Sequence, residues 1–217
     1  VFAGYGLSLP QAGVDDLKGL DLRGKIVVYL NAVPNGLSAP LQAHGSRSRW
    51  TAMQRAGAVG AIALSTGSAW NAGAGSGLTV ALADASLDDA SGQRIFATAS
   101  PALAARLVAG STIVWDSVLA IAKRGAPLPT GALAVSLRAT LPTIRRDFTS
   151  PNVVGVLPGS DPVLRNQIVV YTAHSDHVGT RSGTSAGSDS IFNGAMDNAS
   201  GTATLIETAR LVAARGG

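Results

Sequence analysis

The chain has no cysteine among its 217 residues, which excludes disulfide bridges and thiolate metal sites. Any zinc it holds must therefore be bound by His, Asp or Glu. Charge is scarce as well. Only 14% of residues are Asp, Glu, Lys or Arg, the net charge is +4, and the basic residues are scattered, which argues against nucleic acid as a partner. No apolar stretch approaches the ~20 residues needed for a membrane span, and Val1-Phe-Ala-Gly-Tyr-Gly6 lacks the charged-then-apolar order of a signal peptide. The first residue is not methionine, and Gly216-Gly217 follows directly on a helical pattern, so a processed or truncated piece of a longer precursor is expected. What is plentiful is glycine, at 26 residues, and hydrophobic side chains, at 46%, with 10 prolines. That composition suits compact, turn-rich domains rather than a disordered chain.

The pattern along the chain predicts an α/β protein. Leu22-Arg-Gly-Lys25 is a turn launching the apolar run Ile26-Val-Val-Tyr-Leu30, a buried strand. Helical spacing from Trp50 to Ala56 stops at Gly57, and Ala58 to Leu64 reads as a second buried strand, completing a strand-helix-strand crossover. Gly67 to Gly77 is a Gly/Ser/Ala/Asn loop carrying Trp70. Ser100-Pro-Ala-Leu-Ala-Ala-Arg-Leu-Val108 has a Ser cap, Pro at the first helical position and Gly110 beyond its end. The Pro/Gly stretch Gly125 to Gly131 marks a composition break, which divides the chain into 1–131 and 132–217. Beyond it, strands are expected over Ala132–Leu141, Asn152–Leu157 and Gln167–Ala173, and a helix over Thr202–Ala214. No internal repeat is present.

Two clusters carry chemistry. His174 and Asp176 are two apart on extended chain, so their side chains share a face, and a carboxylate beside an imidazole orients it or polarises a bound ion. His177 adds little, being readable as a solvent-facing neighbour. Asp197 precedes Asn198, Ser200 and the helix, where such residues cap N-termini. Capping needs one of them, however, and the surrounding Ala-Ser-Gly allows close backbone approach. In an open α/β sheet both clusters fall at the carboxyl rim of the strands, where ligands gather.

Tyr171-Thr-Ala-His-Ser-Asp-His-Val-Gly179, followed by Asn193-Gly-Ala-Met-Asp-Asn-Ala-Ser-Gly-Thr-Ala203, resembles the first two metal motifs of the co-catalytic dizinc aminopeptidases, a family that includes glutamate carboxypeptidase. Ser150-Pro-Asn-Val-Val-Gly-Val-Leu-Pro-Gly159 resembles the strand preceding them. Val1 to Gly6, Leu20 to Val28 and Arg55 to Ala63 are similar to the protease-associated (PA) domain inserted in many such peptidases. The resemblance implies a PA-type, β-rich α/β domain followed by the first strands and helix of a zinc-peptidase α/β sandwich.

It also implies that His174 is a terminal ligand of one zinc, that Asp197 bridges two zinc ions, and that Asp176 is the catalytic-site residue orienting His174 or tuning the metal. The two ions would activate a shared water against a peptide bond of a peptide or protein substrate. A cis peptide bond after Asp197 is a further expectation. The family's Glu pair, one general base and one ligand, its further Asp and its final His would all fall beyond Gly217. On this resemblance the chain is an inactive fragment of a secreted or cell-envelope exopeptidase. Glu207, inside the predicted helix, and His44, in the first domain, are poor substitutes. The alternative reading is a PA-type module that binds peptide or protein through the loop bearing Trp70.

Overall fold

The computed structural model describes residues 1–66, 80–140, 142, 144–180, 187 and 189–215. Clustering of contacts divides the chain into two compact units, Val1–Leu141 and Pro142–Gly217. The loop from Gly67 to Gly77, with Trp70, lies outside the described residues.

The first unit runs through β1 (Phe2–Ala3), β2 (Ser8–Leu9), β3 (Val14–Asp15), β4 (Ile26–Leu30), α1 (Ala39–Arg55), β5 (Gly60–Leu64), β6 (Phe96–Ala99), α2 (Pro101–Val108), α3 (Trp115–Lys123) and β7 (Thr130–Gly131). Five of these strands form one sheet in the order β6-β5-β4-β1-β7, parallel except for β7 at one edge. Val28 lies opposite Ile62, and Ile62 opposite Ala97. Alternation along the strands sends Val28, Leu30, Ile62 and Leu64 to the face covered by Ala104 and Val108 of α2 and Trp115 and Val118 of α3. Val27, Tyr29, Ala61 and Ala63 go to the other face, with Trp50 and Met53 of α1. The fold is thus mixed α/β, and the unbroken apolar runs of β4 and β5 follow from burial on both sides. Burying one such large side chain stabilises by about 1.5–3 kcal/mol. Those two layers outweigh any single helix cap, worth about 1 kcal/mol.

The predicted crossover is present, with α1 beginning eleven residues before Trp50, at Ala39. Pro40 sits in its first turn, where its missing N–H costs nothing. Arg49 of α1 is buried beneath a largely polar helix surface: its guanidinium stacks over the Tyr29 ring at 4.6 Å and donates to Asn31 Oδ1 at 3.3 Å and the Ala32 carbonyl at 3.1 Å. It ties the helix to the end of β4. Helix α2 starts as its sequence indicates, with the Ser100 hydroxyl accepting from Leu103 N at 3.2 Å.

Asp16 is a second polar group drawn inward, its Oδ2 accepting from the amides of Tyr5 and Leu7, each at 3.1 Å. Burial pushes its carboxyl above the ordinary carboxylate range, against the lowering effect of those two hydrogen bonds. A raised pKa means the folded state holds the proton more tightly than the unfolded one. Its contribution is therefore complete below the unfolded value of about 3.9 and is lost as pH rises through the folded value. Asp16→Asn is expected to flatten the stability–pH curve over that interval in urea unfolding. An unchanged curve would show that Asp16 does not govern it.

The second unit differs from expectation. Its helix, α4 (Ser200–Arg215), is present, but Asn152–Leu157 and Gln167–Ala173 are unpaired chain rather than strands. Val153 is 101% exposed, Ile168 85% and Val170 73%, and residues 152–157 and 168–173 form no backbone hydrogen bond among the described residues. Of the strand expected over Ala132–Leu141, the described residues 132–140 do not form one: β7 ends at Gly131, and Val135 and Leu137 are exposed. The physical reason is common to all three. Val and Ile favour a pleated surface only where a neighbouring strand and a covering layer exist. Among the described residues after Leu141, the single bridge Thr180–Ile191 is all the strand pairing that forms.

Candidate metal centre

The turn before α4 sets the site. Gly194 adopts a left-handed conformation, φ 68°, and its carbonyl accepts from Ala199 N at 3.0 Å, five residues on, closing a wide π-type turn. Inside it Asp197 (φ −125°, ψ 85°) and Asn198 (φ −139°, ψ 40°) leave helical geometry, and the peptide bond between them is cis, as expected. A Cβ at Gly194 would lie 3.0 Å from the Asp197 carbonyl oxygen and 3.2 Å from His177 Cβ, so this position favours glycine on space as well as on φ.

The capping question is decided by hydrogen bonds. Asn198 Oδ1 accepts from Gly201 N at 3.1 Å, which is the N-terminal cap. Asp197 is thereby left to face the histidines. Its Oδ1 is 3.1 Å from His174 Nε2, and its Oδ2 is 4.0 Å from His177 Nδ1. Thr202 Oγ1 donates to the His174 carbonyl at 3.2 Å, fastening the first turn of α4 to the histidine segment.

His174 is held from behind by Asp176, through a different atom than the sequence suggests. His174 Nδ1 lies 2.8 Å from the Asp176 backbone carbonyl, whereas the carboxylate oxygen is 3.6 Å away on a side chain 92% exposed. A carbonyl can only accept, so Nδ1 carries the proton in this bond and Nε2 is the nitrogen left to bind. A bare Nε2 lone pair set 3.1 Å from a carboxylate oxygen is repulsive. A metal ion between the two atoms would turn that repulsion into two coordinate bonds. The N/O donor set is one that zinc accepts.

His174 and Asp197 thus fit as two donors of a zinc site, but among the described residues no group of three or more His, Cys, Asp or Glu side chains is placed to hold an ion. Glu207 does not supply the third. It is engaged by Arg210, with contacts of 2.6 and 2.8 Å, and that guanidinium holds its carboxyl below the ordinary range. His44 lines a groove of about 700 Å³ along α1 with Lys18, Arg47 and Arg55, and neither His174 nor Asp197 lines it. The residue that sequence reasoning undervalued is His177. Only the local Asp-His adjacency was visible there, because its approach to Asp197 depends on pairing across to Ile191 and Phe192.

Residues 152–217 match the family model described as Peptidase family M28. The match covers less than a third of the chain, contains every residue of the site, and supports placing this segment with the metallopeptidases of that family. No curated protein and no solved structure matches the chain.

Proposed function

We propose that this chain contributes His174 and Asp197 to the zinc site of an exopeptidase of the aminopeptidase type, acting on peptide or protein substrates. Asp197 is read as the ligand that bridges two ions, and Asp176 as the residue whose backbone carbonyl orients His174. The observation that carries the reading is the 3.1 Å approach of His174 Nε2 to Asp197 Oδ1, with Nδ1 already engaged. Zinc bound there supplies Lewis acidity, which polarises a scissile carbonyl and acidifies water. The chain's own part is to hold the ligand nitrogen and the carboxylate face to face. The first unit is read as an accessory domain of PA type, and the setting as secreted or cell-envelope; both rest on the resemblance of motifs. No helix among the described residues is long and apolar enough to cross a membrane.

A catalytic zinc takes three protein ligands and keeps one position open. With two donors brought together, the 217-residue chain should bind zinc weakly and fail to hydrolyse an aminoacyl amide. The test is calorimetric titration with Zn2+ alongside a hydrolysis assay at saturating metal. Saturable binding without turnover is the expected result. Zinc-dependent turnover that requires Asp197 would show that the chain completes its own site, and an absence of binding would remove the metal reading.

A further inference from the structure

His177 is the most shielded of the four site side chains, 26% exposed against 52% for His174, 70% for Asp197 and 92% for Asp176. Its ring meets Phe192 edge to face, centroids 6.1 Å apart at 84°, and the Gly194 backbone passes close to its Cβ. Phe192 is fixed in turn, its amide donating to the Gly179 carbonyl at 2.9 Å beside the Thr180–Ile191 bridge. The imidazole is thus packed between Phe192 and Gly194, with Nδ1 4.0 Å from the Asp197 oxygen that His174 does not face.

An aspartate carboxylate turns through a broad, two-fold torsion, so an exposed one has little preference for which oxygen it presents. A ring nitrogen fixed by packing beside one of the two oxygens biases that choice. We propose that His177 is a positioning residue for Asp197. Its ring, held against Phe192, sets Nδ1 4.0 Å from Oδ2 and leaves Oδ1 turned to His174 Nε2, 3.1 Å away. The donor pair is therefore set before an ion arrives. This inference rests on reading the segment as a zinc site.

The test is Zn2+ affinity of the full 217-residue chain, by calorimetry, for wild type, His177→Phe, His177→Leu and His177→Asn. Phenylalanine keeps the ring against Phe192 and removes the nitrogens. Leucine and asparagine are close in shape and differ in the N–H that asparagine places near the Nδ1 position. Loss of an outer partner typically weakens a metal site 10–100-fold. We therefore expect the Phe and Leu variants to bind about 10-fold more weakly, and Asn to recover most of that loss. The visible spectrum of bound Co2+ should change in the same two variants, and far-UV circular dichroism checks that each is folded. Equal affinity of all four proteins, or of Asn and Leu, overturns the positioning role, leaving His177 as packing. Failure of the wild-type chain to bind zinc overturns instead the site reading on which the role depends.

Discussion

Asp197→Ala should abolish saturable zinc binding by the chain, and His174→Ala should do the same. Each removes one of the two donors that face each other at 3.1 Å. The neighbours offer no replacement: Asn198 caps the helix at Gly201, and Glu207 is bound to Arg210. Losing a group outside the coordination sphere already costs ~10–100-fold in affinity, so losing one of two ligands should exceed that and leave only nonspecific binding. The fold should not be the cause, because Asp197 is exposed and, among the described residues, no hydrogen bond of α4 runs to its carboxylate. Calorimetry reads the affinity and circular dichroism the helix. If Asp197→Ala still binds with wild-type affinity, the ion sits elsewhere and the His174–Asp197 pair is an ordinary ion pair.

Amide exchange should separate two classes of apolar sequence that look alike on paper. Ile26–Leu30 and Ile168–Tyr171 are both short hydrophobic runs, yet Val27 and Leu30 are fully buried while Ile168 and Tyr171 are 85% and 65% exposed. The amides of β4 and β5 lie in a central sheet and open only with large-scale unfolding, which for a typical domain costs 5 kcal/mol or more. Those of 152–157 and 168–171 have no internal acceptor among the described residues. Exchange in the latter should be faster by on the order of a thousandfold. Mass spectrometry of peptides covering 26–30 and 168–171 measures the ratio. Comparable protection in both would show that the second run is paired in a strand after all.

The same contrast explains what could be read from the sequence. β4 and β5 were legible because uninterrupted Val, Ile, Leu and Ala between turn signals is what two-sided burial requires. The start of α2 was legible because Ser100-Pro101 encodes its cap locally. The juxtaposition of His174 with Asp197 was legible through motif resemblance, which already contains long-range information. Three things were not. The first half of α1, from Ala39 to Arg47, has Leu41 as its one large apolar side chain and so no apolar stripe to announce it. α3 went unread, although Trp115, Val118 and Leu119 stand at helical spacing, with Asp116 in its first turn and Lys123 in its last. The runs after Leu141 carry strand propensity without the neighbours that turn propensity into a sheet. His177 joins them as a non-local case.

The grip on His174 is made by the main chain of Asp176, and every residue type has a carbonyl there. The aim of the ligand nitrogen is therefore tolerant of mutation at position 176. The acidic side chain at that position is released from steering the ring, and selection can tune its charge separately from the geometry of the site.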